Sequence, residues 1–373
     1  MGGGPAGAAL AIQLARQGRA VEILEQSACA HHKVCGEFLS LEASAYLDRL
    51  GVDLAGLGAA AIHGVRLAAR QAIAACELPF PALSLSRRTL DEALLSLASR
   101  AGAAVLRGRR VERLQRGATA WSALLAGGET RHAPTVFLAT GKHDLAGHRR
   151  PAGKQNGLVA FKMYFCLAPA QQSALRGWVE LFLFPGGYAG LQLVEEDQAN
   201  LCLLVRRSAL QPGGNAWSAL LERMCAFSAP LAERLDGAQP LWPRPLAISS
   251  LPYGMLLSNT EPGLWLLGDQ AAVIPSFSGD GISIALHSAH LAAEVYARGG
   301  SSAEFARRLH AQLHSSVRLA TALSRLMIAV PGLAGALRAW PGIVGHCASH
   351  TRVPRCALPA ETIPMHQAGV APW

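Results

Sequence analysis

Met1-Gly2-Gly3-Gly4-Pro5-Ala6-Gly7 opens the chain, and the reading of this stretch decides the fold. Gly2, Gly4 and Gly7 fit the spacing G-x-G-x-x-G, which is weak evidence alone and gains weight only from its surroundings. Ala8 to Arg16 follows with a helical pattern, Leu10 and Leu14 one turn apart, and Gly18 ends it. Ala20-Val21-Glu22-Ile23-Leu24-Glu25 then alternates as a strand. Glu25 lies close to the roughly 20-residue offset expected for a carboxylate that binds ribose hydroxyls. Each part has a physical task. The glycines let backbone approach a pyrophosphate, and the helix N-terminus offers free N–H groups and the positive end of its dipole.

One part of this pattern is absent. A dinucleotide fold of this kind has a buried apolar strand ahead of its first glycine, at the centre of the sheet, and here only Met1 stands there. Without it, two neighbouring strands face unpaired backbone groups. Two readings follow: a start that lies upstream, or a truncated, non-catalytic remnant or binding protein. The first is the expectation, because the rest of the sequence shows no decay.

A second stretch belongs with the first. Trp265-Leu266-Leu267-Gly268-Asp269 reads as a buried strand ending in Gly-Asp. A loop from Gln270 to Ser278 holds Pro275, and Gly279-Asp280-Gly281-Ile282 opens a helix to about Tyr296, with Ile282, Leu286, Ala289 and Ala293 on one face. The pairing of GGGPAG with GDQAAVIPSFSGDGISIAL resembles the FAD-dependent flavoprotein monooxygenases and their geranylgeranyl-reductase relatives. The resemblance implies FAD contacts at Gly2, Gly4, Pro5, Ala6, Gly7 and Glu25. It implies a ribityl contact at Asp269, and a helix N-terminus brought to the flavin by Pro275, Gly279, Gly281 and Ile282. A helix N-terminus there suits the negative charge of reduced flavin.

Further matches extend the resemblance over most of the chain. Ser86-Arg87-Arg88-Thr89-Leu90-Asp91 with Leu94 resembles R-x-x-L-D-x-x-L, which places Arg87 near the FAD phosphates; a solvated helix arginine is the plain alternative. Val111 matches the strand position that touches adenine. Lys33-Val34-Cys35-Gly36-Glu37 resembles the K-x-C-G segment of the reductase branch, which puts Cys35, Gly36 and Glu37 beside the flavin. Tyr188 matches a substrate-facing strand. Glu37 and Tyr188 are the catalytic candidates. For Glu37 and Asp280, proton delivery competes with the reading of solvated loop carboxylates.

Departures from the family narrow the chemistry. Ala139-Thr140-Gly141 stands where the hydroxylases carry Asp-Gly, and the halogenase pattern W-x-W-x-I-P is absent. No second G-x-G-x-x-G follows a strand, so NAD(P)H is expected as a transient reductant, or another electron donor in its place. The implied activity is an FAD-dependent monooxygenase on an apolar or aromatic small molecule, with a C=C reductase of the geranylgeranyl-reductase type as the alternative.

Composition bounds what remains. The 373 residues carry 51% hydrophobic and 16% charged side chains with slightly positive mean hydropathy, which fits a core-rich folded protein of more than one domain. The net charge of +9 is spread over scattered arginines without the basic runs that track a nucleic acid, so no nucleic-acid partner is expected. Eight cysteines with no C-x-x-C pair fit reduced thiols in the cytoplasm, and His346, Cys347, His350 and Cys356 match no zinc spacing. No signal peptide or 18-residue apolar run is present, and Leu326 to Leu337 reads as buried helices with possible peripheral membrane contact. The expected fold class is α/β. A Rossmann-like FAD domain (1–150 and 246–300), lacking its first strand, encloses a sheet-based substrate domain (151–245), and 301–373 forms C-terminal helices and a tail. Oligomeric state does not follow from the sequence.

Overall fold

The computed structural model describes residues 1–210, 216–330, 341–354 and 357–358. Four short parallel strands surround the N-terminal glycines. β1 (Glu22–Leu24) pairs with β5 (Ala104–Leu106), and β9 (Val136–Leu138) pairs with β17 (Leu264–Leu266). Met1 and Gly2 bridge the two pairs. The Gly2 N–H donates to Leu24 O, the Met1 ammonium to Phe137 O, and the Ala139 N–H to Met1 O, each at 2.9 Å. The dipeptide therefore occupies the C-terminal end of the place where the sequence pattern calls for a central strand.

Three helices pack on these strands. α1 (Pro5–Arg16) lies between α3 (Arg87–Arg100) and α7 (Gly281–Ala297). Its Ala8, Ala9, Ala11 and Ile12 are buried, and small side chains on this face let the helices approach closely. α3 starts where Ser86 Oγ accepts the Thr89 N–H, and that cap fixes where Arg87 projects. β6 (Val111–Arg116), β7 (Trp121–Leu125) and β8 (Thr130–Ala133) form a small antiparallel sheet beside them.

The large sheet has the order β14 (Gln239–Pro240), β10 (Leu158–Cys166), β13 (Ala199–Arg206), β12 (Gly187–Leu193), β11 (Trp178–Phe184), β3 (Ala60–Ala69), β4 (Ala72–Ser84), β2 (Phe38–Leu39), with β15 (Leu246–Ser249) also on β10. Strands β2, β3 and β4 come from before residue 151, so this sheet does not begin at the boundary read from the sequence. Val179 of β11 pairs in parallel with Val65 of β3, and the Ala-rich composition of residues 59–75 hid that strand. The outer face of the sheet buries Phe161, Met163, Phe182, Leu191 and Leu201 under α4 (Pro169–Leu175), α5 (Ala216–Phe227) and α6 (Ala229–Arg234). The inner face looks toward α7 and the glycine loop. α2 (Leu41–Leu50) packs against α7, and the antiparallel pair of β16 (Met255–Leu256) and β18 (Ala272–Val273) meets the helix that follows α7. α8 (Ser302–Ala329) and α9 (Pro341–His350) close the C-terminal side. Among the described residues no helix is long and apolar enough to cross a membrane. Of the stretch Leu326 to Leu337, α8 carries the first residues to Ala329, and 331–337 lie outside the described residues.

Candidate active site

A single cavity of about 1010 Å³ runs from Glu25 and Val111, past Gly2 to Ala6 and Asp269, to the inner face of the large sheet. That is at the upper end of the roughly 300–1,000 Å³ typical of small-molecule sites.

The glycine loop is shaped by contacts a side chain would break. Gly2 sits at φ +94°, and a Cβ there would lie 2.3 Å from Ala139 O. A Cβ on Gly7 would lie 2.0 Å from Gly2 O, so only glycine lets α1 start this close to the loop. A Cβ on Gly4 would meet the Arg87 guanidinium at 3.3 Å, which places that cation against the N-terminus of α1. Arg87 is partly buried and paired with Asp91 at 2.8 and 2.9 Å, and Lys33 shares the same carboxylate at 2.8 Å. The alternative of a solvated helix arginine is overturned. Glu25, 6% exposed, accepts the Gly3 N–H at 2.7 Å and the Ser27 N–H at 2.9 Å. Its burial works against ionisation, yet these N–H groups and Lys33 hold its pKa below the usual carboxylate range.

At the opposite wall, Gly268 turns at φ +55° and Asp269 lines the cavity. Arg150, through bonds to Asp269 O and Lys142 O, ties the loop 140–150 to this turn. Thr140, at the position where the hydroxylases carry aspartate, spends its hydroxyl on His143 O at 2.7 Å. Gly279, at φ +71°, packs against the Phe38 ring, and nothing lies within 4 Å of a Cβ built on Gly281. The N-terminus of α7 thus presents bare backbone to open space, with Pro275 just before it and Ile282 buried behind.

Glu37 and Asp280 are not solvated loop carboxylates. Glu37 is 0% exposed, at φ +62°, where the loop turns into β2. Its carboxylate pairs with Lys162, also fully buried, accepts the Tyr164 hydroxyl, and accepts the Arg87 N–H at 2.7 Å. Burial pushes its carboxyl up, against the pull of Lys162 and Tyr164. Asp280 is pushed up to about 7 by burial, opposed by Arg352. One of its oxygens accepts the Val353 N–H at 2.8 Å and the other has no partner. Tyr188 lines the cavity, but its hydroxyl is bonded to Ser276 Oγ at 3.0 Å and accepts the Phe277 N–H at 3.3 Å. It ties the sheet to the loop before α7. Cys35, Gly36 and Val111 also line the cavity.

Sequence reasoning passed over several residues. Lys162 stands alone in the apolar run Leu158 to Cys166, and a lone lysine in a buried strand signals a paired partner. Arg352 has no such signal. It is 5% exposed, pairs with Glu42 at 2.9 Å and lies 3.6 Å over the Phe80 ring, which latches the C-terminal segment behind α7. Gln192 and Asn200 emerge only from strand register. His346, Cys347 and His350 lie on α9 and Cys356 lies outside the described residues; among those described, no His, Cys, Asp and Glu side chains group to hold a metal ion.

Glycine loop, buried acid, cavity and second glycine turn define the fold of the FAD-dependent oxidoreductases, and the bare backbone at Gly2–Gly7 and at Gly281 fits such a cofactor. In solved structures, the chain is similar to the halogenase PltM (complex with phloroglucinol and FAD), with a TM-score of 0.70, 13% identity, and coverage of 94% of this chain and 82% of that one. It is likewise similar to PqsL, a probable FAD-dependent monooxygenase from Pseudomonas aeruginosa, with a TM-score of 0.71 and 19% identity over 90% of this chain and 97% of that one. Among curated proteins, it is 27% identical to a menaquinone reductase of Mycolicibacterium smegmatis over 319 residues, 80% of this chain and 76% of the relative. A menaquinone reductase of Mycobacterium tuberculosis is 25% identical over 316 residues. No family model matches the chain.

Proposed function

We propose that the chain binds FAD along the cavity and reduces a carbon–carbon double bond of an apolar small molecule held against the large sheet. The observation that carries this reading is the continuity of the cavity, from a glycine loop with its cations to a wall of Val65, Leu67, Val179, Leu181, Leu323 and Met327. Sequence similarity to menaquinone reductases, over most of both chains, favours reduction over oxygenation. So does Thr140 in place of the hydroxylase aspartate.

Gly2, Gly4, Pro5, Ala6 and Gly7 would hold the pyrophosphate at the N-terminus of α1, with Arg87 beside them and Glu25 on the ribose. Val111 would meet adenine, Asp269 the ribityl chain, and Pro275, Gly279, Gly281 and Ile282 the ring edge; Cys35 and Gly36 would flank it. When bound, FAD supplies a two-electron carrier that NAD(P)H or another donor recharges. A hydride to one alkene carbon requires a proton to the other. The Lys162–Tyr164–Glu37 cluster opens on the cavity at Glu37 and would supply one. Tyr188 holds the loop 275–278 in register.

A second reading, hydroxylation of an aromatic molecule, is favoured by the fold shared with PqsL over 97% of that chain. Anaerobic turnover separates them. Alkene saturation with stoichiometric donor consumption and no oxygen supports reduction. Donor consumption that needs oxygen and yields a hydroxylated product overturns it.

A further inference from the structure

The lysines and arginines that line the cavity are Lys33, Arg87, Arg109, Arg110, Lys142 and Arg352. All but Lys142 are neutralised within the protein. Lys33 and Arg87 share Asp91, while Arg109, Arg110 and Arg352 pair with Glu129, Glu112 and Glu42. Lys142 has no ion-pair partner among the described residues. Asp144, close to it in the chain, is held by Arg150 at 2.6 Å.

The backbone that carries Lys142 is fixed from several sides. Buried Gln270 donates from Nε2 to Gly141 O at 2.7 Å and to His143 O at 3.0 Å. Arg150 donates to Lys142 O at 2.8 Å and to Asp269 O at 3.2 Å. Residues 141–143 are therefore bound to the turn Gly268–Gln270. From that frame the half-buried Lys142 side chain reaches Val34 O, the hydrogen bond its ammonium makes among the described residues. An ammonium has three N–H donors, so donors remain for a ligand. One bond to a carbonyl does little more than offset the rotamer freedom lost in ordering a lysine, so the bridge alone gives little reason for a cation there. The segments it joins are the turn at Asp269 and the stretch Val34–Gly36. The flavin reading sets these same segments against the ribityl chain and the ring.

We propose that Lys142 is the counter-ion of reduced flavin and sets the redox potential of the bound cofactor. This inference rests on the flavin reading above. A hydride from NAD(P)H carries two electrons and one proton, so its transfer adds one negative charge to the flavin. An ammonium left unneutralised in a cavity stabilises that charge and favours the reduced form over the oxidised one. The N-terminus of α7 acts in the same sense with a partial charge, and Lys142 adds a full one. Uptake of oxidised FAD is governed by the glycine loop and gains little from Lys142.

The test is the midpoint potential of flavin bound to the full-length protein, read by equilibration with a reference dye, beside the Kd for oxidised FAD. Lys142→Met is expected to weaken binding of reduced flavin about tenfold relative to oxidised, which lowers the two-electron potential by about 30 mV. Lys142→Gln, uncharged but still a donor, is expected to lower it as far and covers the case in which Lys142→Met does not fold. Lys142→Arg keeps the charge and is expected to stay close to wild type. An unchanged potential in the uncharged variants, with the FAD Kd or the melting temperature shifted instead, makes Lys142 a phosphate contact or a structural bridge. That result overturns the inference and leaves the flavin reading standing. A potential lowered equally by Lys142→Arg traces the effect to geometry rather than charge and also overturns it. Failure of the wild type to take up flavin brings down both.

Discussion

The two ends of the cavity are finished to different degrees. At the glycine loop every charged group already has its partner. Glu25 is held by two N–H groups, and Arg87 and Lys33 share Asp91. At the sheet, Gln192 Nε2 and Asn200 Oδ1 have none, and behind the N-terminus of α7 neither has one oxygen of Asp280. A group satisfied by the protein is rigid before anything binds. A group left unsatisfied costs stability until a ligand pairs with it. The end proposed for the cofactor is thus preorganised, and the end proposed for the substrate is left to be completed by what it binds.

The largest way to break this contrast is to fill the rigid end. Gly7→Val puts side-chain atoms into Gly2 O and is expected to cost about 3 kcal/mol or more and to abolish flavin uptake. Thermal melts and visible absorption read both effects. At the sheet end, Lys162→Met strands a buried carboxylate and is expected to cost about 3–5 kcal/mol in denaturant unfolding. Adding Glu37→Gln should recover most of that loss. By contrast Arg308→Ala, which breaks the exposed pair with Glu294, should change stability by less than about 1 kcal/mol.

Asp280 gives the contrast a pH signature. Its folded pKa of about 7 lies above the ordinary aspartate value of 3.8, so between these pH values the folded state holds a proton that the unfolded state has released. The contribution is fully present below pH 3.8 and is lost as pH rises through about 7, a fall of about 4 kcal/mol. Arg352, Glu42, Ser283 and the Val353 N–H surround the group. Unfolding free energies measured across that window should flatten in Asp280→Asn relative to wild type. The smallest effect is expected of Gly190→Ala, which meets only ordinary contacts and should shift stability by no more than about 1 kcal/mol.

The cofactor end was legible in the sequence because its determinants are local. Three glycines, a helix start and an acid within one loop–helix–strand stretch specify it, and the helices at 5–16 and 281–297 lie where the pattern put them. The alternation from Leu158 to Val205 likewise marked β10 to β13. The sheet end depends on which residues face each other across strands, and the pairs Gln192 with Asn200 and Leu181 with Leu67 follow from register, which no single segment encodes. Arg352 reaches Glu42 across 310 residues of chain, with nothing local to announce it. Glu37 was expected at the flavin, but its burial depends on Lys162 and Tyr164 from a distant strand.

The central claim is that one cavity holds FAD at the glycine loop. Titration of FAD into the purified full-length chain, followed by visible absorption, tests it most directly. The account predicts saturation at one flavin per chain in wild type and Gly190→Val, and no uptake in Gly7→Val. Folded wild-type protein that stays colourless at saturating FAD would contradict it.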